Sequence, residues 1–318
     1  MEHSIRSEEK KGYNLITVLG PTATGKTRLG AYLASKLNGE IISADSRQVY
    51  KFMNIGTGKD LNDYFVENIH VPNHLIDIAD PSEEYNLFRF KNDFYSSFDN
   101  ITQRSKLPFL VGGTGLYLSV VLQNYELHKA DFPPERISEL ETKSDVQLRE
   151  KLLKLKPKQH NITDLKDRER IITAILIQES GTNLNENMKT SISSLNIGIK
   201  PGRDEIKKRI TTRLKKRLDE GMIEEVKKLL NRGITYEKLS FFGLEYKLVS
   251  QYVEGKLNYN DMYQKLNSAI HKFAKRQMTW FRKMEREGVI ITWFDGSDYN
   301  QILNFIRVKL ENNGKYSS

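Results

Sequence analysis

"GPTATGKT", Gly20–Thr27, is the stretch on which the reading of this chain turns. The apolar run "NLITVL" precedes it and reads as a strand, and "RLGAYLASKL" follows it and reads as a helix. In that setting the spacing G-x-x-x-x-G-K-T is a phosphate-binding loop. Backbone N–H groups at a helix N-terminus point at an anion, and the Lys26 ammonium neutralises it. The Thr27 hydroxyl is placed to hold Mg²⁺. Gly20, Pro21, Thr22, Ala23, Thr24, Gly25, Lys26 and Thr27 therefore form the candidate phosphate cradle. Such a loop serves ATP, and it serves equally a diphosphate that departs during a reaction.

Outward from this loop the first third of the chain alternates between strand-like and helical stretches. "GEIISA", "NHLIDIA" and "LPFLVGG" read as further strands, and "NLFRFKNDFYSSFDNITQRSK" reads as largely helical. The alternation predicts an α/β fold, a P-loop NTPase-like parallel sheet flanked by helices. Ligands of such sheets bind at the carboxyl ends of the strands. "GPTATGKT", "ADSRQVY" and "VGGTGLY" all fall there. Residues 1–125 read as the first part of this core. Residues 126–194 read as a small, charged helical insertion with a joint near Pro157, and 195–318 as the second part of the core. "LNIGIK" reads as a returning strand, "RDEIKKRITTRLKKRLDEG" and "NYNDMYQKLNSAIHKFAKRQMTWFRKMEREG" as helices, and "VIITWF" as a last strand.

Composition narrows the function classes. The 318 residues are 38% hydrophobic, enough for a sizeable core, with no apolar run of membrane-spanning length. The polar N-terminal stretch lacks the apolar segment of a signal peptide. There is no cysteine, which excludes disulfides, thiolate zinc sites and cysteine nucleophiles and fits a cytoplasmic location. His70 and His74 flank Pro72, which argues against a shared helical face, so they read as loop residues. The net charge of +9 suits an anionic partner such as nucleic acid, against the plainer reading of a lysine-rich solvated surface.

Several side chains carry candidate chemistry. Asp45 follows an apolar strand, and three readings are open: general base, partner of Mg²⁺ through water, or helix N-cap. Thr114, in a second glycine-rich turn, reads either as a capping residue or as a hydroxyl facing the Lys26 pocket. Asp77 and Asp80 could close a Walker B strand, but Pro81 marks a turn there. Arg209 and Arg213 stand four apart on one helical face, and an arginine fork suits a diphosphate; the alternative is a solvated basic face. On the last long helix Leu266, Ile270, Phe273 and Trp280 form a core-like stripe. Lys272, Lys275, Arg276 and Lys283 lie off it, which suits a nucleic-acid backbone. Packing is the expected role of Trp280.

Taken together, "GPTATGKT", "ADSRQVYKFMNIGTGK", "HLIDIADPSEEYNLFRF", "LPFLVGGTGLY" and "AKRQMTWFR", in that order, resemble the tRNA dimethylallyltransferase (tRNA isopentenyltransferase) family from Ile16 to about Arg282. The resemblance implies transfer of a dimethylallyl group from dimethylallyl diphosphate to N6 of adenosine 37, beside the tRNA anticodon, with release of diphosphate. It implies that Lys26, Arg213 and Mg²⁺ on Thr27 stabilise the leaving group, and that Asp45 is the general base or N6 acceptor. It places Thr114 against the adenosine or the diphosphate, and Asp45, Ser46, Arg47 and Gln48 on the tRNA side. Arg136 and Arg170 of the insertion, with Lys275 and Arg276, become expected contacts of the anticodon stem-loop. A cytoplasmic monomer of bacterial type is expected, since a cysteine zinc finger is absent. The chain departs from the family pattern at "GTGKD" (commonly GTAKP), at "TAIL", Thr173–Leu176 (commonly R-A-L-E), and at "FFGLEYK" (commonly GYK or GYR). Three other readings compete: an adenylate isopentenyltransferase, a small-molecule kinase, and a non-catalytic RNA-binding protein. A kinase would need an arginine lid and an adenine site, and neither is identifiable.

Overall fold

The computed structural model describes residues 12–125, 133–155, 168–179 and 190–312, except for the side chain of Arg170. The chain begins with β1 (Leu15–Leu19), the phosphate loop and α1 (Lys26–Lys36), then β2 (Gly39–Ala44). A small antiparallel pair, β3 (Phe65–Val66) and β4 (Ile69–His70), precedes β5 (Asn73–His74), α2 (Leu87–Gln103), β6 (Leu107–Gly112) and α3 (Gly115–Leu122). Then come α4 (Pro134–Glu141), α5 (Asp145–Leu155), α6 (Arg168–Glu179), β7 (Ser194–Ile199) and α7 (Arg203–Asp219). The chain closes with α8 (Met222–Asn231), α9 (Tyr236–Phe241), α10 (Leu244–Val253), α11 (Tyr259–Arg286), β8 (Ile291–Phe294) and α12 (Tyr299–Glu311). The last helix has no counterpart in the sequence reading. It buries Ile302, Leu303, Ile306 and Leu310.

Among the described residues the main sheet has six parallel strands in the order β5-β2-β6-β1-β7-β8. β1, β2 and β6 are buried along their whole length. Unbroken apolar burial is what a parallel sheet covered on both faces requires. Ile16, Val18, Ile41, Phe109 and Ile197 pack with Leu29 and Leu33 of α1 and with the buried residues of α12. The expected α/β fold is the observed one.

One strand is much shorter than read. "NHLIDIA" joins the main sheet only through Asn73 and His74, because Leu75 and Asp77 take φ of 63° and 54°, and Ala79 makes an isolated parallel bridge with Tyr50. Left-handed backbone at these two residues ends the ladder. His74 is also more than a loop residue: its Nε2 lies 2.8 Å from Glu40 Oε2. Glu40, buried and bonded to Arg104, Lys106 and His74, is held well below the usual carboxylate range, chiefly by the Arg104 guanidinium.

The chain divides into two compact units, 1–124 with 191–318, and 125–190. In the second unit Leu140, Leu148, Leu152, Ile171, Ile175 and Leu176 of α4, α5 and α6 form a separate core. The joint expected near Pro157 lies outside the described residues. No described helix is long and apolar enough to cross a membrane.

Candidate active site

Strand order brings the three sequence motifs together. Leu19 of β1 pairs with Gly112 of β6, and Gly112 pairs on its other side with Ala44 of β2. The phosphate loop, the Thr114 turn and Asp45 therefore leave three adjacent strands at the same level, with neighbouring strands about 5 Å apart. Ala23 and Gly25 of the loop adopt φ of 63° and 79°, and Gly25 leads into the exposed N-terminus of α1. Thr24 Oγ1 and Lys26 Nζ both donate to the Pro21 carbonyl, at 2.9 and 3.3 Å. The Thr27 hydroxyl has no hydrogen-bond partner among the described residues.

Asp45 Oδ1 accepts from the N–H groups of Arg47 (2.9 Å) and Gln48 (3.4 Å). It caps a turn rather than a helix, since no helix begins there. Only one carboxylate oxygen is used in this way, and Oδ2 keeps its lone pairs for another group. Thr114 occupies the N-cap position of α3 without a side-chain bond to that helix. Its hydroxyl accepts instead from the N–H of Ser46, at 3.1 Å. The capping reading thus gives way to a tie between the Thr114 turn and the Asp45 turn. Arg47 lies 5.4 Å over the Phe241 ring. Gln48, expected on the acceptor side, is buried and donates to the Gly58 carbonyl at 3.2 Å.

Gln277 of α11 joins the two glycine-rich turns. Its Oε1 accepts from Thr22 N at 2.8 Å, and its Nε2 donates to Gly113 O at 2.8 Å. Trp280, one turn on, packs against Gly115, where a Cβ would sit 2.4 Å from the indole, and donates to Ser119 Oγ. Packing is therefore the role that Trp280 takes. The sequence reading missed Gln277, yet it shares a buried face with Ile270, Ala274 and Phe281. A polar residue in an apolar stripe is a sign of a buried hydrogen-bonding task. Phe273, expected on that stripe, is 38% exposed. The buried face runs through Ala274 instead.

A second loop, 53–60, follows the Asp45 turn. The Glu225 carboxylate of α8 accepts from the N–H groups of Asn54, Ile55 and Gly56 at 2.8–2.9 Å, and from Tyr246 Oη at 2.7 Å. Lys59, also buried, donates to Tyr50 O and Asn54 Oδ1 and pairs with Asp77 at 2.5 Å. Asp77 is thus committed to Lys59. Asp80 accepts from Ser82 in an exposed turn. Glu225 and Lys59 were not singled out from sequence, although Glu225 shares the buried face of α8 with Met222, Val226 and Leu229.

Of the two arginines on one face of α7, only Arg213 reaches the loop at 53–60. Its Nη2 donates to Gly58 O at 3.2 Å and to Asp60 Oδ2 at 3.1 Å, whereas Arg209 pairs with Glu205 on an exposed face. Burial pushes Lys26 down to about 8; Asp45 opposes this and the charges of Arg213 and Arg217 add to it. Lys26, Asp45, Arg213 and Arg217 therefore share one electrostatic neighbourhood. Lys26 forms no ion pair among the described residues, so its charge is open to an incoming anion.

The expected nucleic-acid contacts divide. Lys272, Lys275 and Arg276 on α11 are exposed, with no carboxylate partner among the described residues. Arg136 is engaged by Glu179 at 2.6 Å and by Glu139 within α4. Arg170 lies in α6, with its side chain outside the described residues.

A parallel sheet with a phosphate loop, a carboxylate and a hydroxyl at three adjacent strand ends defines a P-loop-type α/β protein. The family model "IPP transferase" matches residues 48–284, and the chain belongs to that family. It is 52% identical to tRNA dimethylallyltransferase 2 of Syntrophotalea carbinolica, over 89% of this chain and 95% of that one. It is 50% identical to tRNA dimethylallyltransferase 1 of Geotalea uraniireducens, covering 89% and 93%. Among solved structures, the tRNA isopentenylpyrophosphate transferase of Bacillus halodurans superposes with a TM-score of 0.70 at 35% identity, over 95% of this chain and 98% of that one. A eukaryotic dimethylallyltransferase acting on tRNA shares the fold, with a TM-score of 0.75 at 24% identity, covering 95% and 79%.

Proposed function

We propose that this transferase moves a dimethylallyl group from dimethylallyl diphosphate to N6 of adenosine 37, beside the tRNA anticodon, and releases diphosphate. The observation that carries this reading is the meeting of the phosphate loop, Asp45 and Thr114 at the ends of β1, β2 and β6. An exocyclic adenine amine is a weak nucleophile, because its lone pair is delocalised into the ring. The reaction therefore depends on the leaving group. As the C1–O bond of the donor breaks, charge develops on the diphosphate, where loop N–H groups, Lys26 and Arg213 are aimed. N6 bonds to C1, and Asp45, through its open oxygen, takes the proton that N6 loses. Thr114 sits between these two regions and can orient the adenosine.

The donor set suits Mg²⁺. The Thr27 hydroxyl is unpartnered and, with the diphosphate oxygens, offers the hard ligands this ion takes. No cluster of three or more acidic or histidine ligands exists among the described residues, so the remaining ligands would be substrate oxygens and water. When bound, the ion would add charge neutralisation on the leaving group.

The acceptor base belongs to a single-stranded loop, and taking it out of its stack costs only a few kcal/mol. The exposed Lys272, Lys275 and Arg276 of α11 suit the RNA backbone. Incubating the chain with labelled dimethylallyl diphosphate and, separately, an anticodon stem-loop, AMP or ATP tests this directly. Label should appear in the stem-loop alone. Label in AMP or ATP would replace the tRNA reading by the adenylate one.

A further inference from the structure

Arg217 stands one helical turn beyond Arg213 on α7 and was not singled out from sequence. Only 8% of it is exposed. Its Nε has no hydrogen-bond partner. Its Nη1 stops 3.7 Å from Glu245 Oε1, beyond hydrogen-bond reach. A buried guanidinium with donors left open is costly unless an acceptor arrives. Burial lowers its pKa to about 10, with the Arg213 charge adding to the effect.

Its position is specific. Gly58 adopts φ of 67°, and a Cβ there would lie 1.5 Å from Arg217 Nη2 and 2.4 Å from Arg213 Nη2. The two guanidiniums thus share the space above one glycine. The family pattern commonly carries alanine at this position, and a methyl group would force the ends of both guanidiniums to shift. Glu245, the nearest counter-charge of Arg217, lies in "FFGLEYK", a second stretch where the chain departs from the pattern. Two departures far apart in sequence therefore meet at one side chain: the first opens the space for it, and the second supplies a distant carboxylate. An ion pair built for stability alone would close the 3.7 Å gap and use Nε. Phosphate oxygens match what is left open, since they accept charge-assisted bonds from an arginine fork.

We infer that Arg217 is a second diphosphate-binding guanidinium of this cleft, working beside Arg213 on the leaving group. The inference rests on the donor class proposed above. It gives the chain two arginines on the diphosphate, Arg213 bonded to Asp60 and Arg217 with Glu245 as its nearest counter-charge.

Inorganic diphosphate, titrated calorimetrically into the full chain with Mg²⁺ and without tRNA, is the probe. Arg217→Met keeps the volume and removes the charge, and it should weaken binding by about tenfold or more, the worth of one charge-assisted contact. A loss below about threefold, under 0.7 kcal/mol on the affinity scale, would overturn the assignment. If that variant does not fold, Glu245→Gln decides. Freed from its counter-charge, Arg217 should then hold diphosphate more tightly, a sign that structural damage does not give. Unchanged or weaker binding in Glu245→Gln would overturn it. If the parent chain itself takes up no diphosphate, the donor reading falls and this inference with it. If the parent binds and Arg217→Met binds equally, only the role of Arg217 falls.

Discussion

The loop at 20–27 and the loop at 53–60 border the same cleft but are held differently. The first takes most of its shape from its own residues: Thr24 and Lys26 bond to Pro21, and Gly25 turns the chain into α1. Its one distant hydrogen bond among the described residues is to Gln277. The second also has local bonds, such as Thr57 Oγ1 to Met53 O, but three of its N–H groups end on Glu225, 169 to 171 residues away. Arg213, Arg217 and Tyr246 close over its glycines. A loop that presents backbone N–H groups to a ligand must leave them open, so it is fixed by geometry and a few side bonds. A loop whose N–H groups are already consumed presents something else, here its carbonyls and the arginines leaning on it. Removing one side chain should therefore harm chemistry in the first loop and folding in the second.

The largest effect is expected at Lys26. Lys26→Ala should cut single-turnover transfer by about 10²–10³-fold, as loss of one stabiliser of developing charge does, with no loss of thermal stability. Comparable loss of stability would erase the distinction between the loops. The same residue makes a pH prediction. Its pKa lies near 8, below its ordinary value of 10.5, so donor use should decline as pH rises through 8. Over that range the unfolded chain binds the extra proton, so the donor-free fold should gain stability from this group between pH 8 and 10.5. Parallel rate and denaturation profiles would show the two trends running in opposite directions.

At Glu225 the order reverses. Glu225→Ala strands three N–H groups and the Tyr246 hydroxyl, which should cost about 2–4 kcal/mol of stability, measured by urea unfolding. Diphosphate affinity of the folded fraction should change much less than in Lys26→Ala. An intact melting curve would mean that water replaces the carboxylate.

Gln277→Ala tests the single tie that the first loop shares with α11. About 1–2 kcal/mol should be lost, with roughly a tenfold fall in rate, because both Thr22 N and Gly113 O lose a buried partner. A rate equal to that of the parent would leave the loop self-sufficient.

The smallest effect is expected outside both loops. Lys275→Ala with Arg276→Ala should make the slope of log affinity for tRNA against log salt shallower by about one to two units, with single-turnover rate at saturation preserved. An unchanged slope would reduce this face of α11 to a solvated basic surface.

Much of the fold was legible because its rules are local. Unbroken apolar runs marked β1, β2 and β6, and the glycine spacing marked the phosphate loop between strand and helix. "NHLIDIA" misled because hydrophobicity says nothing of the left-handed turns at Leu75 and Asp77. Phe273 misled because a period near 3.6 fixes a helical face only to within about one residue.

By itself, then, the sequence determined the α/β class, the phosphate loop, and Asp45 and Thr114 as residues at strand ends. It also carried the ordered motifs that identify the family. Only the tertiary structure decided which side chains complete the cleft. It placed Gln277 on Thr22, 255 residues away, chose Arg213 over Arg209, and set Arg217 above Gly58. The reason is physical. A backbone cradle is written in consecutive residues, because its donors are its own N–H groups. A buried charge finds its partner through the packing of whole helices, and that choice is recorded nowhere in the neighbouring sequence.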